Sequence, residues 1–136
     1  MLYNHNEYLN YELPKNWNSE EDGDNLLLYN PNGSGAMVVS FFNVLATSDT
    51  LDEQISILAK KFIDKNKIKL HSSLILFAKD DKTTLYGTGT TSDGWFIKLW
   101  VVAKHPKIVF ATYQSEKKTG EVKKCDSIID SINFTF

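Results

Sequence analysis

Four strand-like segments in the second half of the chain constrain the fold more than any other feature of the sequence. They span residues 70–79, 83–92, 95–103 and 108–115. Asp80-Asp81 and Asp93-Gly94 separate the first three, and Asp-Gly is a strong signal for a tight turn between antiparallel strands. Strands joined by such short connections predict a four-stranded antiparallel meander.

Counting through the turns predicts the register of this meander. Two-residue turns after the first and second strands and a four-residue turn after the third place Gly87 opposite Trp100 and Gly89 opposite Lys98. One face then carries Leu74, Leu76, Leu85, Gly87, Gly89, Phe96, Trp100, Val102, Val109, Ala111 and Tyr113, and the other carries Ile75, Phe77, Tyr86, Thr88, Ile97, Leu99, Val101, Ile108, Phe110 and Thr112. Because neither face is polar, we expect the sheet to be covered on both sides.

Two amphipathic helices are available to cover it. Thr50-Leu51-Asp52-Glu53 is a capping box, and it predicts a helix that ends near Asn66. A second helix is predicted from Thr119 to Ile132. Their apolar stripes are formed by Leu51, Ile55, Leu58, Phe62 and Ile63 in the first helix and by Val122, Cys125, Ile129 and Ile132 in the second.

Shorter strands are predicted around these elements, at residues 8–13, 26–29, 36–44 and 133–136, with an acidic loop over residues 15–25. The strand at 36–44 is apolar on both sides of its pleat, so it too is expected to be covered on both faces. The order of elements predicts an α+β protein, an antiparallel sheet sandwiched between helices in an α/β/α arrangement, formed by one domain over residues 1–136.

Pro14 ends the first predicted strand, and Trp17 follows directly after the turn. Burial of an indole ring contributes several kcal/mol, so we expect Trp17 to fold back over an end of the sheet. An exposed Trp17 that recognises a partner is the alternative.

Composition limits the classes of partner. The chain has 136 residues and a net charge of −2, and all of its 15 basic residues are lysine. Arginine is the residue best suited to bidentate phosphate contacts, so its absence argues against a nucleic-acid partner. The alternative explanation is the codon bias of an AT-rich genome, which also favours lysine and asparagine. A single cysteine, no signal-peptide pattern and no apolar run long enough for a transmembrane segment lead us to expect a cytoplasmic protein.

Three stretches carry a resemblance to a known group of proteins: Tyr11-Glu12-Leu13-Pro14-Lys15-Asn16-Trp17, the strand, helix and meander of residues 36–115, and Ser131-Ile132-Asn133-Phe134. Together they resemble the PsbP-like fold, which includes the photosystem subunit PsbP, a Ran-binding Mog-type family, the bacterial DcrB-like family and secretion-effector adaptors. The resemblance implies a helix–sheet–helix sandwich without shared catalytic residues, in proteins that mostly bind partners.

The sequence offers few residues for catalysis or metal binding. His5, His71 and His105 are far apart and lack a second ligand at metal-binding spacing. Cys125 lies on an apolar helix stripe, where we expect an inert, buried thiol. We therefore expect no enzyme activity, no cofactor and no bound metal.

The glycine-rich segment Gly87-Thr88-Gly89-Thr90-Thr91 leads into a hairpin rather than a helix, so it is not a phosphate loop. Its glycines are expected to make room for the Trp100 ring on the same face. A functional alternative is a shallow groove for a partner or ligand, formed by Phe96, Trp100, Tyr113, Gly87, Gly89 and Ala111.

These observations favour a non-enzymatic protein-binding accessory or adaptor of bacterial type. Its partner is an unidentified protein, and the sequence does not determine its oligomeric state. The alternative is a small-ligand or lipid-binding module with a pocket between a helix and the sheet.

Overall fold

The computed structural model describes residues 2–5 and 9–136. In chain order the elements are β1 (Leu2–His5), β2 (Leu9–Glu12), β3 (Asn18–Asp22), β4 (Asn25–Tyr29), β5 (Gly35–Asn43), α1 (Leu51–Lys65), β6 (Lys69–Leu70), β7 (Ile75–Lys79), β8 (Lys82–Thr90), β9 (Phe96–Lys104), β10 (Lys107–Ser115), α2 (Glu121–Ser131) and β11 (Asn133–Phe134).

The strands form one large and one small antiparallel sheet. The large sheet has the order β3-β4-β5-β10-β9-β8-β6. The edge of β8 is shared by two strands: β6 pairs with its last residues, and β7 pairs with its first half. The small sheet has the order β1-β2-β11. The predicted meander is therefore confirmed as β7, β8, β9 and β10, whose neighbours all pair in antiparallel fashion.

The two helices lie on opposite faces of the large sheet, as predicted. α2 and the small sheet cover a core that contains Trp100 and Tyr113, whereas α1 covers a second core around Leu99 and Val101. Each core is built mainly from apolar side chains, so burial on both faces stabilises the sheet. Neither helix has the length and hydrophobicity that a bilayer crossing requires, within the residues that the structure describes.

The predicted capping box begins α1. The Glu53 amide donates to Thr50 Oγ1 at 3.2 Å, and that hydroxyl donates to Glu53 Oε1 at 3.1 Å. The helix ends at Lys65, where the Asn66 amide donates to the Phe62 carbonyl. Local hydrogen bonds therefore define both ends of this helix.

The predicted register between β8 and β9 is wrong by one residue. Tyr86, not Gly87, lies opposite Trp100, and Gly87 lies opposite Leu99. The turn contains three residues rather than two, because the Thr91 amide donates to the Trp95 carbonyl at 2.8 Å and Gly94 adopts a φ of +84°. A three-residue hairpin loop with glycine in the left-handed region is a common alternative to the two-residue turn.

One extra residue in the turn exchanges the faces of the two preceding strands. Leu74, Leu76, Leu85, Gly87 and Gly89 therefore lie on the α1 face, and Ile75, Phe77, Tyr86 and Thr88 lie on the α2 face. The predicted register between β9 and β10 is confirmed, because Trp100 lies opposite Ala111.

The first half of the chain has more strand than expected. β3 occupies part of the predicted acidic loop, and its Glu20, Glu21 and Asp22 are exposed. β3 is an edge strand, which pairs with a neighbour on one side only and tolerates charged side chains. Its acidic sequence is therefore compatible with a strand. β1 was not expected, and the predicted strand at 70–79 is divided into β6 and β7. Tyr8, which the prediction assigned to the first strand, lies outside the described residues.

Trp17 is an internal anchor of the fold. Its amide donates to the Pro14 carbonyl at 3.2 Å, which closes the turn after β2. Its ring is 4% exposed and packs in the core beneath α2. The prediction of a buried Trp17 is confirmed.

Candidate functional site: an open groove beside α1

The six residues of the predicted groove do not meet at one surface. Phe96, Trp100, Ala111 and Tyr113 are buried in the core that α2 covers. Gly87 and Gly89 lie on the opposite face, where a Cβ atom would contact Leu74 and Lys69 respectively. The corrected register and the position of α2 together remove the predicted groove.

On the face that α2 covers, a polar network joins α2 to β9. Asp126 Oδ1 accepts from Lys98 Nζ at 2.7 Å and from Trp100 Nε1 at 3.1 Å. The Lys98 ammonium also lies 5.0 Å and 5.2 Å from the ring centroids of Tyr86 and Trp100. A buried lysine needs such partners, so the network fixes the orientation of α2 on β9.

The opposite face is only partly covered. α1 packs mainly on β8 and β9. A helix is roughly 10 Å wide and strands are about 4.8 Å apart, so one helix covers about two strands. The α1 face of β5 is left open, with Val38 and Phe42 exposed. The prediction that this strand is covered on both faces is wrong on the α1 side.

We call the resulting surface the α1–β5 groove. It consists of two adjoining cavities of about 300 and 270 Å³, which share Phe42, Leu58 and Lys61. Four of its apolar residues are unusually exposed: Val38 at 39%, Phe42 at 43%, Leu45 at 66% and Ile57 at 41%. The rest of its apolar surface is formed by Leu58, Phe62, Ile108 and Phe110.

Hydrogen bonds hold the exposed Leu45 in place. Its amide donates to Gln54 Oε1 at 2.8 Å, and Gln54 Nε2 donates to the carbonyls of Leu45 and Asp49 at 3.1 and 3.2 Å. The preceding Val44 amide donates to the Pro106 carbonyl at 2.8 Å. A segment fixed to α1 and to the β9–β10 turn therefore presents Leu45 to solvent.

The charged residues of the groove are unevenly distributed. Lys61 lies where the two cavities meet, and Lys65 lines the cavity near the carboxyl end of α1. Asp49 lies at the opposite end. The groove lining therefore has a net charge of +1, from two lysines and one aspartate, although the whole chain has a net charge of −2.

The residues considered for chemistry are placed elsewhere. Burial raises the pKa of Cys125, whose side chain is enclosed in the α2 core. The His71 ring nitrogens contact the hydroxyls of Thr88 and Thr90 at 3.2 and 2.9 Å. The His5 ring stacks on Phe41 at a centroid distance of 4.2 Å. Over residues 2–5 and 9–136, no three His, Cys, Asp or Glu side chains are grouped as metal ligands.

Sequence reasoning missed the α1–β5 groove, although one signal for it was present. The alternation in β5 placed Val38 and Phe42 on a single face. The alternation of apolar residues does not reveal where α1 lies across the sheet, because that position depends on packing between distant segments.

Comparisons with known proteins identify the fold. No family model matches the sequence, and no curated protein matches it. A similar solved structure is that of cyanobacterial PsbP from Synechocystis sp. PCC 6803, with a TM-score of 0.73 and 11% identity over 99% of this chain and 92% of that protein. A crystal structure from Bacteroides thetaiotaomicron VPI-5482 is also similar, with a TM-score of 0.55 and 16% identity over 96% of this chain and 46% of that protein. The chain therefore has the PsbP-like fold that the sequence motifs predicted.

Proposed function

We propose that this protein is a non-enzymatic accessory protein that binds an acidic, amphipathic segment of another protein in the α1–β5 groove. The observation that carries the proposal is the exposed apolar row formed by Ile57 of α1 together with Phe42 and Leu45 beside it. Large apolar side chains grouped on a surface are typical of interaction sites.

The shape of the groove favours a peptide segment. It follows α1 from Gln54 to Lys65, a distance of about 16 Å at 1.5 Å per residue. An amphipathic helix of about three turns has this length and can place its apolar side chains along the groove. Because Leu45 is already held outward by Gln54, little ordering of the protein is needed on binding.

The charges of the groove favour an acidic partner over a second copy of the chain. Carboxylates that flank the apolar side chains of a partner would lie near Lys61 and Lys65. In a twofold symmetric dimer through this groove, the Lys61 side chains of the two copies, which lie near its centre, would face each other and repel. A partner of opposite charge removes this repulsion.

Site-specific photocrosslinking tests the proposal. Benzoylphenylalanine replaces Phe42 in the protein expressed in its own cells, and the crosslinked peptides are sequenced by mass spectrometry. We expect one predominant partner peptide, with apolar residues at helical spacing and several Asp or Glu residues.

The matched control carries the same photoreactive group at Ile75, which is exposed in β7, well separated in the sheet from β5. The control should not yield the same peptide. Crosslinks to a second copy of this chain, to a basic peptide, or equally from both positions would contradict the proposal.

A further inference from the structure

A second cavity lies between α1 and the β8–β9 turn, and it has a different character from the α1–β5 groove. Its volume is about 400 Å³, within the range of small-molecule sites. It is lined by Trp95 and Phe62 together with Asn66, Thr91, Asp93 and Gln114. It therefore combines aromatic surface with hydrogen-bonding side chains.

Trp95 distinguishes this cavity from the rest of the surface. It is 43% exposed, whereas Trp17 and Trp100 are buried in the core. An indole ring left half in solvent forgoes burial that would stabilise the fold. The Trp95 ring therefore offers a flat apolar surface at the wall of the cavity, against which a ligand can stack.

The wall that carries Trp95 is well ordered by hydrogen bonds. The Trp95 amide donates to Thr91 Oγ1 at 3.0 Å, and the Trp95 carbonyl accepts from the Thr91 amide at 2.8 Å. On the other wall, Asn66 Nδ2 donates to the Phe62 carbonyl at 2.9 Å, which orients the side-chain amide at the end of α1. The backbone that carries Trp95 and the Asn66 side chain are thus held in place, which reduces the entropy lost on binding.

The lining chemistry defines the class of ligand. Six of the eight lining residues have hydrogen-bonding side chains, and they include both amides and hydroxyls, which supply donors and acceptors. The only charged lining residue is Asp93, an acid, which disfavours phosphates, nucleotides and other anions. We propose that this cavity is a saccharide site, in which the C–H face of a neutral sugar ring stacks on Trp95 and its hydroxyls bond to Asp93, Asn66 and Gln114.

This proposal goes beyond the proposed protein-binding function and rests on different residues, apart from Phe62, which borders both sites. The fluorescence of the three tryptophans provides the test, because Trp95 is the exposed one. The purified protein is screened on an array of neutral glycans. The glycans that bind are then titrated in solution, and acrylamide quenching of the tryptophan emission is followed.

We expect at least one neutral oligosaccharide to bind and to protect the emission from acrylamide. Trp95→Ala should weaken that binding roughly tenfold or more, because the stacking surface is lost. Asp93→Ala should also weaken it, while Asp93→Asn, which keeps an acceptor oxygen, should retain most of the affinity. Ile75→Ala is the control and should bind like the unchanged protein.

Several outcomes would overturn the proposal. These are an array without any bound neutral glycan, binding that is unaffected by Trp95→Ala, and Trp95-dependent binding of tetramethylammonium or AMP in place of sugars. Loss of glycan binding in Trp95→Ala together with unchanged photocrosslinking at position 42 would support the saccharide site and leave the protein-binding proposal intact. Circular dichroism of each variant shows whether the fold is retained.

Discussion

Tyr86 lies directly opposite Trp100 in the ladder between β8 and β9, and both rings face α2. The Lys98 ammonium lies within about 5 Å of both ring centroids and is paired with Asp126. In this register Gly87 and Gly89 lie on the face that α1 covers.

The first prediction concerns these two glycines. In Gly89→Ala the new Cβ would lie 2.6 Å from the Lys69 carbonyl oxygen, a backbone atom of β6. In Gly87→Ala it would lie 2.5 Å from Leu74 Cδ2, the end of a side chain that can rotate away. Urea unfolding should show that Gly89→Ala lowers the free energy of unfolding by about 1–3 kcal/mol and Gly87→Ala by clearly less. Equal losses, or a larger loss for Gly87→Ala, would contradict the observed register.

The second prediction compares two buried tryptophans. Trp100 Nε1 donates to Asp126, whereas the buried Trp17 Nε1 contacts no acceptor among the described residues. Replacement of Trp100 by phenylalanine removes a hydrogen bond, whereas replacement of Trp17 by phenylalanine removes a buried donor that has no acceptor. Trp100→Phe should therefore destabilise the protein by roughly 1 kcal/mol more than Trp17→Phe, measured by thermal and urea unfolding. The two alanine variants serve as controls, and each should lose about 3–5 kcal/mol because of the cavity left behind.

The third prediction concerns the pH dependence of stability. Burial lowers the pKa of His5 from its ordinary value of 6.5, and the nearby Glu21 carboxylate partly opposes this effect. As the pH falls through about 6.5, the unfolded chain binds a proton at His5 before the folded protein does, so the free energy of unfolding decreases. His5→Phe should keep the stacking on Phe41 and remove this decrease.

Urea unfolding of both proteins above and below pH 6.5 checks this third prediction. The stability of His5→Phe relative to the unchanged protein should increase as the pH is lowered. Parallel stability curves over this range would show that His5 does not titrate differently in the two states.

The parts of the fold that follow from local chemistry were predictable from the sequence. The capping box at Thr50 and Glu53 located the start of α1 to the residue. The Asp80-Asp81 turn also has the expected two-residue form, with both residues at positive φ. In these places neighbouring residues determine the conformation without help from distant contacts.

Other parts depend on choices that the sequence leaves open. The segment Thr91–Trp95 can close as a two-residue or a three-residue turn, and hydrogen bonds between Thr91 and Trp95 select the longer form. This single choice reversed the assigned faces of Leu85 and Tyr86. β3 was missed because its acidic composition resembles a loop, and only its pairing with β4 makes it a strand.

The candidate site depended almost entirely on tertiary structure. The predicted groove residues Phe96 and Trp100 form core contacts because α2 lies over them. The exposure of Phe42 and Leu45 follows from the lateral position of α1, for which the sequence contains no local signal. Surface sites formed between distant segments require the packing to be known.

The central claim is that the α1–β5 groove selects its partner by apolar side chains and by positive charge. Peptide display on the immobilised protein, beside the charge-reversed variant Lys61→Glu/Lys65→Glu, tests this claim most directly. The unchanged protein should enrich amphipathic peptides rich in Asp and Glu, and the variant should enrich amphipathic peptides rich in Lys and Arg. The same peptides from both proteins, or no enrichment by either, would contradict the claim.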